Sequence, residues 1–304
     1  MKKWIGLLLA LPLLVQAAEI RIGFQKSAGL LSMMKTQGTA EKALPGYQIK
    51  WIEFPAGPQM LEALNAGSID FGSTGAPPPV FAQAGGVDLL YVGAEPAPVN
   101  SEAIIVPKES KLHAVADLKG KRVAFQKGSG SHFLLASALQ KAGLKFSDIT
   151  PIYLSPSDAR AAFVSGGIDA WVVWDPYLAS AQKAYQARVL SDYTGLPLAN
   201  GFYLASRTFA QKSPQLVSSL LEQVKLTGKW ANEHQKEVST LLTQQTGVPA
   251  DIVATWMGRS RFGATPVTPE IVANQQRVAD LFYQQKLIPK PVSIAGSVWP
   301  WQPK

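Results

Sequence analysis

The stretch Arg21-Ile22-Gly23-Phe24-Gln25-Lys26-Ser27-Ala28-Gly29 returns, about a hundred residues later, as Arg122-Val123-Ala124-Phe125-Gln126-Lys127-Gly128-Ser129-Gly130. A second pair follows at nearly the same offset: Leu64-Asn65-Ala66-Gly67-Ser68-Ile69-Asp70-Phe71 and Phe163-Val164-Ser165-Gly166-Gly167-Ile168-Asp169-Ala170. Each copy is typical of a strand, a small-residue loop that opens a helix, and a helix that ends at glycine before a return strand. The duplication predicts two similar α/β lobes with a ligand site between them.

Short apolar strands alternate with helical stretches as far as Asp192, a pattern that indicates α/β layers around a mainly parallel sheet. Beyond the candidate return strand Tyr203–Ser206 the chain is almost entirely helical. We predict an α/β fold of two lobes joined by a hinge of two crossing segments. Residues 19–100 and 205–304 form the first lobe, and residues 101–204 form the second.

The first residues have the pattern of an export signal. Met1-Lys2-Lys3 is basic, Trp4 to Val15 is apolar, and Val15-Gln16-Ala17 resembles a cleavage site. The apolar run is shorter than the roughly 20 residues that a membrane-spanning helix needs. We expect residues 1–18 to be a signal peptide and the remaining protein to be secreted to the periplasm. A buried first strand or an uncleaved anchor is the alternative.

Composition excludes several classes of protein. The 304 residues include no cysteine, which rules out disulfides, thiol catalysis and cysteine-bound metals. The net charge is +8, but the basic residues are scattered and form no stripe of the kind that binds nucleic acid. We therefore expect no nucleic-acid partner, although a diffuse positive field would help to attract an anionic small molecule.

Catalysis and cofactor binding have little support in the sequence. The three histidines, His113, His132 and His234, do not stand at metal-ligand spacing. No phosphate-binding loop, dinucleotide fingerprint or nucleophile elbow is present. We expect a binding protein without a metal or cofactor, not an enzyme.

Two loops carry the features of an anion site. Gly128 and Ser129 follow a predicted strand and precede a helix, where free N–H groups and the helix dipole favour negative charge. Ser73, Thr74 and Gly75 occupy the corresponding place in the first copy. The carboxyl ends of strands in an α/β sheet meet at one edge, so Gln25 and Lys26 are expected there too. The alternative is that each serine only caps a helix.

The segment Trp171-Val172-Val173-Trp174-Asp175-Pro176 has two interpretations. Asp175 suits a helix N-cap and Pro176 a first helical residue, and Trp174 could belong to the core. Trp174 could instead form an apolar wall of the ligand site, with Asp175 at its mouth. An inward-facing Asp175 or Glu95 would repel an ionised anion, and would imply a ligand with an amine or a proton to donate.

Several motifs resemble the periplasmic aliphatic sulfonate-binding proteins of ABC importers, which belong to the type II, nitrate/taurine/thiamine-precursor-like binding proteins. They are Arg21–Lys26, Glu53–Leu64, Gly67–Gly75, Val123–Ser129, Asp158–Phe163, Trp174–Tyr177, Gly201–Ala205 and Ala279–Tyr283. The resemblance implies the type II periplasmic binding protein fold, whose lobes close on a sulfonate. Its partners would be an alkanesulfonate and a permease in the inner membrane, and the protein would act as a monomer.

By the same resemblance, the ligand-binding positions are Gln25, Ser73, Thr74, Gly75, Gly128, Ser129, Trp174 and Asp175. The sequence departs from the family at Ala76, where an acidic residue is expected, and at Gly130, where a serine is usual. Three readings stay open: a sulfonate-binding protein, the same fold binding taurine, nitrate or a pyrimidine thiamine precursor, and an enzyme such as a thiamine-pyrimidine synthase.

Overall fold

The computed structural model describes residues 18–25, 29–97 and 100–303. Apart from Ala18, the expected signal peptide lies outside the described residues, as does Lys26. Within the described ranges, no helix combines the length and the apolar character that crossing a membrane requires.

In the part of the chain that the structure describes, ten strands form two five-stranded sheets. They are β1 (Ala18–Gln25), β2 (Tyr47–Phe54), β3 (Phe71–Thr74), β4 (Leu89–Ala94), β5 (Glu102–Val106), β6 (Arg122–Phe125), β7 (Thr150–Tyr153), β8 (Ala170–Trp174), β9 (Arg188–Ser191) and β10 (Phe202–Ser206). The strand orders are β2-β1-β3-β10-β4 and β7-β6-β8-β5-β9. The two orders are the same pattern, which matches the duplication in the sequence.

The helices of the two lobes follow the strands. They are α1 (Leu30–Gln37), α2 (Thr39–Ala43), α3 (Gly57–Asn65), α4 (Pro77–Ala84), α5 (Gly130–Lys141), α6 (Pro156–Val164), α7 (Tyr177–Tyr185), α8 (Arg207–Lys212), α9 (Pro214–Glu233), α10 (Gln235–Thr246), α11 (Ala250–Arg259) and α12 (Pro269–Gln284).

Two segments exchange the chain between the sheets, which confirms the predicted hinge of two crossings. The chain leaves the first sheet after β4 and enters the second at β5; it leaves β9 and returns to the first sheet at β10. Each crossing strand runs antiparallel to both of its neighbours, β10 to β3 and β4, and β5 to β8 and β9. Each sheet is therefore parallel except for the strand that enters from the other half of the chain.

Two local expectations need correction. The stretch from Leu30 to Ala43 reads as one helix, but Gly38 adopts a left-handed conformation with φ of 62° and separates α1 from α2. Glycine ends the first helix because it reaches this conformation without a steric penalty. Pro176 is not the first helical residue of α7, because it occupies the cap position and the helix begins at Tyr177.

The repeated arginine and aspartate form the same clamp in both lobes. The Arg21 guanidinium donates to the Asp70 carboxylate from Nε at 3.0 Å, and the Arg21 backbone N–H donates to it at 2.9 Å. Arg122 holds Asp169 with the equivalent bonds, at 3.2 Å and 2.8 Å. Both pairs tie a parallel strand to the turn before the neighbouring strand, β1 to the turn before β3 and β6 to the turn before β8.

The two clamps allow a matched stability test. Asp70 is the more buried carboxylate, with 11% of its side chain exposed against 32% for Asp169. Replacing Asp70 by alanine removes charge-assisted hydrogen bonds and should cost about 1–2 kcal/mol of unfolding free energy. Asp169→Ala should cost less, because solvent already screens its partner. Urea denaturation of both variants measures the difference, and a larger loss in Asp169→Ala would contradict the burial argument.

Candidate ligand-binding cleft

A cavity of about 360 Å³ lies between the two lobes, at the ends of the strands. Seven of the eight expected site residues line it: Gln25, Ser73, Thr74, Gly75, Ser129, Trp174 and Asp175. The eighth, Gly128, lies next to Ser129 but outside the lining; a Cβ added there would contact the side chains of Phe81 and Pro58. The two anion-site loops predicted from the sequence therefore open into one space.

The first lobe contributes polar groups from the ends of β1 and β3. The Gln25 side-chain amide donates to the Ser73 carbonyl at 3.2 Å, which ties the two strand ends together. The Thr74 hydroxyl donates to the Gly75 carbonyl at 3.0 Å. Because a hydroxyl can rotate, Thr74 can turn its one O–H donor towards a bound anion.

The second lobe contributes the start of α5. Ser129 is the N-cap residue, yet its hydroxyl donates to the Gln126 carbonyl at 2.7 Å and caps no helical N–H. This geometry differs from the simple capping alternative raised by the sequence. The first N–H groups of an α-helix have no acceptor inside the helix, so those of Gly130 and Ser131 are available at the cavity side of the loop.

His132 fixes this loop from behind. The Gly128 N–H donates to His132 Nδ1 at 3.2 Å, so this N–H is committed to the protein and not to a ligand. The imidazole is fully buried and packs against the rings of Phe81, Phe125, Phe146 and Phe282. Burial lowers the pKa of His132 to about 3, so the ring is neutral at physiological pH and accepts the Gly128 hydrogen bond.

Helix N-termini make the cavity favourable for an anion. Gly29 before α1, Gly57 at the start of α3, Pro77 at the start of α4 and Gly130 at the start of α5 all line it. The partial positive charge at each helix start favours a bound negative charge. The start of α3 was not predicted as part of the site, because nothing local in its sequence marks it. The start of α1 was not named as part of the site either, although Gly29 is the counterpart of Gly130 in the repeat.

The start of α4 supplies less hydrogen bonding than its position indicates. Pro77, Pro78 and Pro79 occupy its first three helical positions, and proline has no N–H. Donors in this part of the cavity must therefore come from Gly75, Ala76 and the hydroxyls of β3. Ala76 is buried, and its carbonyl accepts from Gln275 at 2.7 Å. An acidic side chain at position 76 would have to enter this packed region.

Trp174 ends β8 and Asp175 follows it, and both residues line the cavity. Trp174 is half-buried and lines the cavity, whereas Trp171 of the same strand is buried in the core. Asp175 is buried, accepts the Ala179 N–H at 2.9 Å and forms an ion pair with Arg259 at 3.3 Å. Burial raises the pKa of Asp175 to about 6, while Arg259 acts in the opposite direction.

Arg259 connects the lobes. It ends α11, whose buried residues Val253 and Trp256 belong to the core of the first sheet. Asp175 precedes α7, whose Leu178 belongs to a core of the second sheet. Arg259 also donates to Gln182 of α7 at 2.6 Å. Sequence reasoning missed Arg259, because an arginine in the last turn of an amphipathic helix looks like an ordinary surface residue.

Two glutamates also face the cavity, Glu95 after β4 and Glu102 at the start of β5. The inward position of Glu95 was left open by the sequence, and that of Glu102 was not expected. Glu102 accounts for the glycine at position 130: a Cβ there would lie 2.7 Å from Glu102 Oε1. A serine in that position would displace the carboxyl group.

Comparison with known proteins places the chain in a family. The family model described as NMT1/THI5 like matches residues 48–238. A protein described as an aliphatic sulfonates-binding protein of Escherichia coli (strain K12) is 47% identical over 281 residues, which cover 92% of this chain and 88% of the relative.

Solved structures agree with this match. The alkanesulfonate-binding protein SsuA from Xanthomonas axonopodis pv. citri bound to MOPS superposes with a TM-score of 0.90 at 44% identity, covering 93% of this chain and 98% of its own. The periplasmic aliphatic sulphonate binding protein SsuA from Escherichia coli has a TM-score of 0.86 at 47% identity, with the same coverage. The predicted two-lobe periplasmic binding protein fold is therefore confirmed, and the chain belongs to the NMT1/THI5-like family, on the branch of the aliphatic sulfonate-binding proteins.

Proposed function

We propose that this protein is the periplasmic solute-binding component of an ABC importer and captures aliphatic sulfonates between its two lobes for sulfur acquisition. The observation that carries the proposal is that hydroxyl and amide donors from both lobes meet four helix N-termini in one cavity. A sulfonate is ionised at any physiological pH and has no proton to donate, so it needs a site made of donors.

In this proposal Ser73, Thr74, Gly75, Gln25 and Ser129 surround the sulfonate group. Gly128 acts indirectly, by shaping the loop that presents Ser129. Trp174 covers the alkyl chain of the ligand, with Asp175 at the edge of the cleft. The protein works without a cofactor and without chemical change to the ligand.

Delivery follows from closure of the lobes. Hinge closure around a ligand is a common response of two-lobe binding proteins. We infer that the closed, monomeric form is recognised by a permease of the inner membrane. A signal peptide at residues 1–18 would bring the protein to the periplasm. Alkanesulfonates are favoured over taurine, nitrate or a pyrimidine because the relatives that are 44% to 47% identical and cover 92% to 93% of the chain are described as aliphatic sulfonate-binding or alkanesulfonate-binding proteins.

Replacing Ser73 and Ser129 together by alanine tests the site. The double variant should bind ethanesulfonate about 1–3 kcal/mol more weakly, because hydrogen bonds to a charged group are lost while the backbone is kept. Calorimetric titration in a sulfonate-free buffer measures this, after the protein is unfolded and refolded to remove carried-over ligand. Ser218→Ala, on the exposed face of α9, is the matched control. Unchanged affinity in the double variant would refute the site.

A ligand series tests the function itself. Ethanesulfonate, longer alkanesulfonates, taurine, sulfate and nitrate are titrated side by side into the native protein. Tight binding of alkanesulfonates with weak sulfate binding supports the proposal, and the dependence on chain length reports on the wall at Trp174. Failure of every sulfonate to bind would overturn it.

A further inference from the structure

The cavity contains two buried carboxyl groups, one at each end of the first crossing segment. Glu95 follows the last strand of the first sheet before the crossing, and Glu102 begins the first strand after it. Both line the cavity. Each carboxyl group packs closely against a glycine: a Cβ at Gly201 would lie 2.6 Å from Glu95 Oε2, and one at Gly130 would lie 2.7 Å from Glu102 Oε1. The two carboxyl groups are thus held in place on either side of the hinge.

Neutral hydroxyl groups are the partners of both carboxyls. The Glu102 oxygens contact the Tyr193 hydroxyl and the Ser131 hydroxyl of α5, each at 3.1 Å. Glu95 is hydrogen-bonded to Tyr203 of β10 and Ser73 of β3. Burial raises the pKa of both tyrosines well above the usual value, and the adjacent glutamate raises it further. Both tyrosine hydroxyls therefore stay neutral.

No ion pair neutralises either glutamate among residues 18–25, 29–97 and 100–303. Other charged groups on the cavity wall are engaged elsewhere. Asp175 and Arg259 pair with one another, and the Arg261 guanidinium donates to the Ser260 carbonyl at 2.8 Å. The remaining neighbours of the two carboxyl groups are uncharged. Trp174 lies opposite Glu102 on the adjacent strand β8, and the Asn200 side chain donates to the backbone carbonyl of Glu95.

These surroundings make both carboxyls sensitive to charge. Burial raises the pKa of Glu95 to about 7 and that of Glu102 to about 7, and the hydroxyl hydrogen bonds only partly oppose this. In the free protein near neutral pH, each group is therefore divided between its charged and its neutral form. A negative charge brought into the same cavity disfavours the charged form further.

We propose that Glu95 and Glu102 are specificity-determining residues that take up protons when an organic anion enters the cleft, so that capture of the anion is coupled to proton binding. The inference rests on the proposed function and extends it. The proton comes from solvent and adds to a carboxylate oxygen; no other bond changes. A protonated carboxyl is a neutral hydrogen-bond donor, so it serves a fully ionised anion that has no proton of its own.

The sign of the pH dependence follows from this coupling. Only the protonated form of each glutamate accepts the anion, so affinity is highest below the pKa of the free protein and falls as pH rises through it. Between about pH 6 and about pH 8, each carboxyl with a pKa near 7 should weaken binding about tenfold. Two independent carboxyls together should weaken it about a hundredfold.

Calorimetric titration of ethanesulfonate into the native protein tests the inference. Titrations at both pH values give the change in affinity. Parallel titrations in phosphate, imidazole and Tris, which differ in ionisation enthalpy, count the protons taken up. We expect tighter binding at the lower pH and net proton uptake. This measurement needs no variant, and the buffers contain no competing sulfonate.

Conservative variants show which carboxyl group takes up each proton. Glu95→Gln and Glu102→Gln should each remove about one tenfold step from the pH dependence, and the double variant should bind with nearly constant affinity over the range. Asp251→Asn, an exposed carboxylate on α11 outside the cavity, should keep the full dependence. A double glutamine variant that retains the full dependence would overturn the assignment.

The outcomes separate the two proposals. Native protein that binds no sulfonate at either pH contradicts the proposed function. Native protein that binds ethanesulfonate with equal affinity at both pH values and without proton uptake contradicts only the proton coupling. Affinity that rises with pH would also overturn the coupling, because the carboxyls would then act in their ionised form.

Discussion

Replacing His132 by alanine should destabilise the protein by about 3–5 kcal/mol, the range for a buried aromatic side chain that leaves a cavity. The imidazole is fully buried, and four phenylalanine rings surround it. The substitution also leaves the Gly128 N–H without its acceptor. Chemical denaturation measures the loss, and a cost below about 1 kcal/mol would contradict the packing argument.

A pH series separates the charge of His132 from its packing. The folded-state pKa of about 3 lies below the usual histidine value, so the unfolded chain takes up this proton first as pH falls. The stability that neutral His132 contributes to the native protein is therefore lost progressively as pH falls below about 6.5. Between about pH 6.5 and about pH 4.5 this lowers the free energy of unfolding by roughly 2–3 kcal/mol. Glu95 and Glu102, whose pKa values are raised, change stability in the opposite direction over this range.

His132→Phe isolates that effect because it keeps an aromatic ring and removes the titration. Near neutral pH the variant should be less stable than the native protein, since the Gly128 N–H loses its partner. The gap should narrow or reverse near pH 4.5. A gap that stays constant across the range would show that His132 does not titrate between the folded and unfolded states as proposed.

Arg259→Gln should weaken ethanesulfonate binding by about 2–3 kcal/mol, less than the full cost of breaking a buried pair because the guanidinium is partly exposed. The Asp175 side chain is only 1% exposed, against 21% for Arg259. Removing the arginine leaves a buried carboxylate without its charge partner wherever α7 and α11 are in contact. Since this contact joins the lobes, the cost falls on the closed form, and so on ligand affinity.

A double-mutant cycle and a neighbouring pair control this prediction. Asp175→Asn combined with Arg259→Gln should bind more tightly than Arg259→Gln alone, because no unpaired charge is left. Lys183 and Asp251 join the same two helices at 2.9 Å, but both side chains are more than half exposed, so Lys183→Gln should have no measurable effect. Calorimetry gives the affinities, and small-angle scattering with saturating ligand reports closure. Unchanged affinity in Arg259→Gln would refute the role of the pair.

Much of the architecture could be predicted because the relevant signals are local. Alternating and continuous apolar runs located the strands, and the predicted return strand Tyr203–Ser206 lies within β10 (Phe202–Ser206). The helix break at Gly38 escaped prediction, since one glycine within a helical pattern is compatible with a continuous helix. The clamp residues were visible as a repeat, but their pairing became clear only when the strands were placed side by side.

Some residues of the candidate site could also be predicted from local signals, and others could not. Gln25, Ser73 and Ser129 could be predicted because each lies at or just beyond the carboxyl end of a strand, and the ends of parallel strands meet at one edge. Glu102 could not, because a glutamate that starts an apolar strand has no local sign of facing a cavity. Arg259 comes from a helix about eighty residues beyond its partner Asp175, and no pattern in the sequence links the two.

By itself, the sequence determined the two lobes, their order along the chain and the family, because periodicity, turn residues and an internal repeat act over short distances. Only the tertiary structure decided which charges face the cleft, which N–H groups are already used, and which contacts join the lobes. These properties depend on burial and on the distance between groups remote in the chain. Electrostatic energies change steeply with burial and with distance. A carboxyl group that keeps its usual pKa at the surface therefore has a raised pKa when it is buried in the cleft.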